Sequence, residues 1–321
     1  MTSPMANQKR RYHGFIGLGL LAVSEILMLA GVRPFTTWFY SLAWWSYIFI
    51  VDQAVYHLKG NSLWVNRRRE FLLLIPTSVA FWMIFEGVNV YLQNWHYTGI
   101  IREAWLRWPG YFIAYATVLP GIFETTELLE ALGLFRRSRI KPLPRTTAWY
   151  KPFVLIGIFF LFAPIFWPRF FFPLIWGGFI FLLEPLVHAR GGQSLMRDWE
   201  QGSLRTFYLL LTAGLICGLL WEFWNFWAVS KWVYTVPWVG RLKVFEMPVL
   251  GFGGFPPFAV ELYVMTNAVS LFRRGRGWRA EDAGRPGGAS PLRMALGAAL
   301  FLALFIMGGR SIEFFTIKSF V

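Results

Sequence analysis

The sequence predicts an all-α polytopic membrane protein: a transmembrane helical bundle of about nine spans, arranged as two parallel four-helix repeats plus a C-terminal helix. Three observations carry that expectation. The 321 residues are 56% hydrophobic with a mean hydropathy of +0.46, too apolar for a soluble domain. Apolar blocks of the ~20 residues needed to cross a bilayer core alternate with short polar connections. The second half of the chain repeats the polar punctuation of the first.

Spans fall near 14–32, 35–57, 71–93, 110–133, 150–167, 170–188, 204–228, 249–272 and 293–309. The first follows Lys9, Arg10 and Arg11 and so resembles the start of a signal peptide. No small-residue cleavage site follows it, and it reads as a retained helix. Tight connections at Arg33-Pro34 and Pro168-Arg169 predict helical hairpins. Most of the 31 Lys and Arg sit on alternate connections, counting from the N-terminal segment. This places the N-terminus in the cytoplasm and, after nine spans, the C-terminus outside. The short loops suit a bacterial or archaeal cytoplasmic membrane. Residues 273–291, rich in Arg and Gly, read as a disordered cytoplasmic connection. The domain division is then 1–140 and 141–275 for the repeats, 276–292 for the basic loop, and 293–321 for the last helix and tail.

The net charge of +14 does not point to nucleic acid, because the basic residues flank membrane spans. The single cysteine, Cys217, permits no intrachain disulfide.

The repeat is read from matched residues. Asp52 to Leu63 (DQAVYHLKGNSL) aligns without gaps on Glu184 to Leu195 (EPLVHARGGQSL), and Trp44 and Trp176 keep that offset. After a short insertion Glu86 and Asn89 match Glu222 and Asn225. Trp95 and Tyr97 then match Trp232 and Tyr234, and Pro120 and Glu124 match Pro257 and Glu261. Four spans return the chain to its starting side, so the two units share one orientation about an axis along the membrane normal.

The candidate catalytic residues are the matched acids Glu86, Glu124, Glu222 and Glu261. Asn89, Asn225, Asp52 and Glu184 are supporting polar groups. Topology puts Asp52 and Glu184 near the cytoplasmic ends, Glu86 and Glu222 in the outer half, and Glu124 and Glu261 near mid-span, each four residues after a proline that can kink its helix. A carboxyl group in a low-dielectric bundle favours its neutral form and can then donate a proton. The plainer reading is that these groups bond one another and hold helices together.

Trp82, Phe85, Trp221, Phe223, Trp224, Phe226 and Trp227 surround the Glu86 and Glu222 positions, with Trp82, Trp221 and Trp224 as candidate walls of an aromatic cavity. Core packing is the competing role. Trp95, Tyr97, Trp232 and Tyr234 read as an interfacial belt. His57 and His188 follow the acids of their units and are candidate partners for Asp52 and Glu184. Glu127 and Glu130 lack counterparts and are expected to face Arg136 or Arg137. The four histidines show no metal-ligand spacing, and no nucleotide or hydrolase motif occurs, so neither cofactor nor metal is expected.

These motifs resemble the integral-membrane lycopene (carotenoid) cyclase domain family, which also occurs as tandem units. The residues compared are Glu86, Trp95-His96-Tyr97 and Pro120-x-x-x-Glu124, then Glu222, Trp232-Val233-Tyr234 and Pro257-x-x-x-Glu261. Where that family has an adjacent acid pair, each motif here has one glutamate. The resemblance implies a cofactor-independent cyclisation: one carboxylic acid protonates a terminal double bond, aromatic faces stabilise the cation, and a second carboxylate removes a proton. The expected partner is a membrane lipid or isoprenoid substrate. The alternatives are a non-catalytic lipid- or pigment-binding subunit of a larger membrane complex, and a proton-coupled carrier.

Overall fold

The computed structural model describes residues 12–238, 242–273, 277–279 and 291–317. The described chain is mostly helical. It runs α1 (His13–Leu29), α2 (Phe35–Lys59), α3 (Leu63–Asn66), α4 (Arg68–Leu92), strand β1 (Trp95–Thr98), α5 (Ala104–Tyr115) and α6 (Val118–Ala131). There follow α7 (Tyr150–Phe166), α8 (Pro168–Phe171), α9 (Gly178–Ala189), α10 (Leu195–Glu200), α11 (Arg205–Trp227) and β2 (Lys231–Tyr234). A small hairpin of β3 (Lys243–Val244) and β4 (Met247–Pro248) precedes α12 (Phe255–Leu271) and α13 (Pro291–Ser311).

Among the described residues, six helical stretches are long and apolar enough to cross a membrane: Arg68–Leu92, Thr146–Phe166, Pro168–Ala189, Arg205–Trp227, Val249–Leu271 and Ala295–Thr316. They mark an integral membrane protein. His13–Leu29 is a shorter apolar helix. α2, at 25 residues, matches α4 in length but carries Asp52, Gln53, His57 and Lys59 towards its end and falls outside the six.

The expected span 110–133 is two helices. α5 stops at Tyr115 and α6 starts at Val118, so Pro120 sits in a first turn, where no intrahelical N–H is required. Ser78 of α4 bridges the break, its Oγ donating to Tyr115 O (2.5 Å) and accepting from Leu119 N (3.0 Å). Pro256 and Pro257 likewise open α12, after a 3-10 turn over Val249–Gly254. The prolines therefore start helices here rather than kink them.

Packing falls into two similar sets. α1 lies along α2 as α7 lies along α9; α2 packs on α6 as α9 packs on α12; α4 meets α6 as α11 meets α12. The sets join through α6 and α11, and α13 lies against α4. One core runs through both, with Trp44, Ile48, Phe85, Leu119 and Phe123 from the first set and Ile175, Leu210, Cys217 and Phe258 from the second. α11 and α12 approach closely: a Cβ at Gly214 would stand 2.4 Å from Phe255 O, and one at Gly218 2.2 Å from the Phe255 ring. α7 and α13 expose large apolar side chains such as Phe159, Phe162, Leu300 and Ile306, as a lipid-facing surface requires.

Within the basic connection, 274–276 and 280–290 lie outside the described residues. The short piece between them is ordered into the protein, contrary to the expectation of a solvated loop. Trp278 is buried and stacks on Phe123 at 4.5 Å, and Arg67 donates to its carbonyl (3.1 Å).

Candidate functional site: an aromatic cavity backed by two buried glutamates

Each of α4 and α11 ends in a turn that its own asparagine folds back. Asn89 Nδ2 donates to Trp95 O (2.9 Å), and its Oδ1 accepts from Asn94 N (2.9 Å) and Trp95 N (3.4 Å). Asn225 Nδ2 donates to Trp232 O (2.9 Å), and its Oδ1 accepts from Trp232 N (3.0 Å). The two segments held this way are β1 and β2, which pair antiparallel with Trp95 opposite Tyr234, His96 opposite Val233 and Tyr97 opposite Trp232. The two W-x-Y motifs, expected at span ends, form this paired ribbon, with Trp95 and Tyr97 buried and Trp232 and Tyr234 half-buried. Strand pairing satisfies backbone groups that an unpaired segment would leave open.

The ribbon brings the tyrosines bonded to Glu86 and Glu222 to one cavity. Glu86 is fully buried, and its Oε1 accepts from Trp82 Nε1 (2.9 Å), Trp95 Nε1 (3.1 Å) and Tyr97 OH (2.5 Å). Tyr115 OH donates in turn to Tyr97 OH (2.9 Å). Glu222 Oε1 accepts from Tyr234 OH (2.9 Å). The second oxygen of each carboxyl has no hydrogen-bond partner among the described residues.

In front of these tyrosines lies a cavity of about 610 Å³, within the range of small-molecule sites. Trp82, Trp95, Tyr97 and Tyr115 wall it from the first set, and Trp176, Trp221, Trp232, Tyr234 and Phe258 from the second. Neither glutamate is itself in the wall; each stands one tyrosine behind it. Among the described residues of the wall, charge is confined to Arg107, which pairs with Glu313 beyond α13, and Lys231, which pairs with Glu246 (2.6 Å).

Of the three candidate tryptophans, Trp82 and Trp221 line this cavity. Trp224 is buried against Trp44 and Tyr47, outside it. Phe223, Phe226 and Trp227 are exposed, the first two packing on Phe245, so they do not surround the carboxyls.

The other matched acids lie elsewhere. Asp52 accepts from Ser62 Oγ (2.9 Å) and from Trp64 N (2.7 Å), and Glu184 from Met196 N (2.8 Å), the two backbone donors each lying twelve residues on. Ser62 and Ser194 cap α3 and α10, so these acids pin the short helices that follow them. Their histidine partners differ from expectation. His13, reaching across from α1, bonds Asp52 (2.8 Å), while His57 bonds Gln53 and His188 pairs with Tyr150 and Glu200. One helical turn separates Asp52 from His57 only roughly, whereas α1 packs directly over Asp52.

Glu124 is fully buried beside Asp52, within the electrostatic reach of Glu127 and Arg67. Glu261 accepts from Phe179 N (2.8 Å), in the first turn of α9. Glu127 takes both Arg67 Nη atoms (2.6 Å each), and Glu130 faces Lys59, Arg205 and Arg279, so neither meets Arg136 or Arg137.

Tyr115, Tyr40, Trp176 and Arg107 complete the cavity and were not singled out in the sequence as site residues. Selection by repetition hides Tyr115, because Phe252 stands at the matched position of the second half. Comparison with known protein families, curated proteins and solved structures finds no match for this chain.

Proposed function

We propose that the chain is an integral membrane enzyme that isomerises an isoprenoid or other lipid by proton transfer, in the manner expected of a carotenoid cyclase. The observation that carries this reading is the hydrogen-bonded run Tyr115–Tyr97–Glu86, which ends in an apolar aromatic cavity. The hydroxyls here point from Tyr115 to Tyr97 to Glu86; when Glu86 is protonated and both hydroxyls turn round, Glu86 gives a proton to Tyr97, Tyr97 gives its own to Tyr115, and Tyr115 gives its own to a substrate double bond. One C–H bond forms and the π bond is lost. The resulting cation lies among Trp and Tyr faces, which stabilise positive charge, and it closes onto a second double bond. Loss of a C–H proton to Glu222 through Tyr234 restores the double bond, so the product is an isomer of the substrate.

The same reading takes the molecule as two parallel repeats with a cytoplasmic N-terminus, nine spans and the cavity towards the outer leaflet. The self-matching register of the β1–β2 pair supports it: exchanging each residue for its counterpart maps Trp95–Tyr234 onto Tyr97–Trp232. The two sets of acid and asparagine bonds support it too.

A second reading, a lipid- or pigment-binding subunit without catalysis, is favoured by one observation: among the described residues no carboxyl group lines the cavity wall. The two readings separate in cells that make a linear carotenoid. Organic extracts are compared by mass spectrometry and chromatography for the native chain and Glu86→Gln at equal membrane level. An isomeric, ring-containing product from the native chain alone supports the enzyme. Unchanged polyene that co-purifies with both chains supports the binding subunit and removes the enzyme reading for this substrate.

A further inference from the structure

A second hollow, of about 250 Å³, lies at the other end of the second helix set. Thr206 in the first turn of α11 lines it, whereas the aromatic cavity takes Trp221 of the same helix, about 22 Å away at 1.5 Å per residue. Its walls are polar: Gln193, Arg197, Asp198, Thr206, Tyr263 and Arg279.

The two arginines differ in how they are held. Arg197 is fixed by the backbone, donating to Gly192 O (2.7 Å) and His188 O (3.1 Å). Arg279 Nε and Nη2 are shielded from solvent and have no hydrogen-bond partner among the described residues, although Nη2 stands 3.4 Å from Glu130 Oε2. The side chain as a whole is half-buried, but shielded N–H donors left without an acceptor are costly, and an oxyanion satisfies them well. Asp198 is the one acid in the wall among the described residues, and burial pushes its carboxyl up against the pull of Thr206, Arg279 and Arg197.

The first helix set shows what fills the corresponding corner when nothing else does. There Arg67 donates to Asn61 (2.9 Å), to both oxygens of Glu127 and to the carbonyl of Trp278. Asn61 corresponds to Gln193, but Val264 stands where Glu127 would be. Val264 thus supplies no carboxylate at this corner, and the wall sets two guanidiniums against the one carboxyl of Asp198 among the described residues.

We propose that this pocket binds a phosphate group, carried either by inorganic phosphate or by the headgroup of an anionic phospholipid. At about 250 Å³ the space falls below the ~300 Å³ at which pockets hold whole small molecules, so it takes the headgroup and leaves acyl chains outside. The proposal is independent of the chemistry assigned to the aromatic cavity.

The test uses the full chain in a neutral detergent, with isothermal titration and the thermal unfolding midpoint as readouts. The probes are inorganic phosphate, dihexanoyl phosphatidic acid and dihexanoylglycerol. Saturable binding of phosphatidic acid, weakened about tenfold by Arg279→Gln, is the expected result, since one or two charge-assisted bonds are lost. Binding of inorganic phosphate with similar affinity identifies the phosphate group alone as sufficient; binding of phosphatidic acid only identifies the lipid headgroup. If Arg279→Gln does not insert, Thr206→Val is read in the same way. The proposal fails if neither phosphate probe binds saturably, if dihexanoylglycerol binds as well as phosphatidic acid, or if the variants bind like the native chain.

Discussion

Asn89 and Asn225 each use both ends of one amide, donating to a strand carbonyl and accepting from the N–H of the same tryptophan. A carboxylate can only accept, so Asn225→Asp leaves Trp232 O without its donor. We expect a loss of about 1–3 kcal/mol in thermal or denaturant unfolding, the cost of an unsatisfied buried group, with Asn225→Ala at least as severe. Tyr97→Phe is a sharper probe of function. Glu86 keeps two of its three donors, so unfolding should shift by only about 1 kcal/mol, whereas product formation should fall by well over tenfold because the proton route is cut. Tyr115→Phe should reduce product while leaving the Tyr97–Glu86 bond in place. A native rate in Tyr115→Phe would remove that hydroxyl from the mechanism.

Helix ends and close approaches set the arrangement of the elements. Pro120 and Pro257 occupy first turns, where an N–H has no helical acceptor, so Pro120→Ala should change stability by less than about 1 kcal/mol and leave α6 in place. A large loss would mean that the proline's shape is needed for more than starting the helix. Gly214 behaves differently, because backbone rather than a flexible side chain stands 2.4 Å from the position of an added Cβ. Gly214→Ala should force α11 away from α12 and cost about 1–3 kcal/mol, read as a lower unfolding midpoint. At the other side of the bundle, the pairing of Arg107 with Glu313 and the bond from Tyr111 to Glu313 (3.2 Å) tie the end of the α13 segment to α5.

At the scale of the whole molecule the joint between the two helix sets is the β1–β2 ribbon together with the α6–α11 contact. His96 and Val233 face each other in that ribbon, so His96→Cys with Val233→Cys should cross-link on oxidation. After proteolysis in the connection around Arg139–Arg145, the halves should then migrate together on a denaturing gel without reductant and apart with it. Two separate bands under oxidising conditions would contradict the register. Orientation is checked by cysteines placed at Arg102 and at Arg139: only the first should react with an impermeant maleimide in intact cells if the N-terminus is cytoplasmic.

Membrane residence was legible in composition and block length, since hydropathy sums over many residues and no single contact can reverse it. Glu86 with Asn89 and Glu222 with Asn225 were legible as groups that need partners inside the protein, because polar groups in apolar helices must be satisfied by the chain itself. Their partners were not legible. The pairing of Tyr97 with Trp232, the reach of His13 to Asp52 and the burial of Trp278 under Phe123 join residues far apart in sequence, and helical periodicity carries no information about such contacts. Tyr115 shows the limit most clearly. It has no counterpart in the other half, and only the folding of α5 against α4 places its hydroxyl on Tyr97. The sequence by itself determined the solvent, the helices and the residues that must be satisfied inside them. Tertiary structure alone decided which of those residues share a cavity, because that depends on how one set of helices is turned against the other.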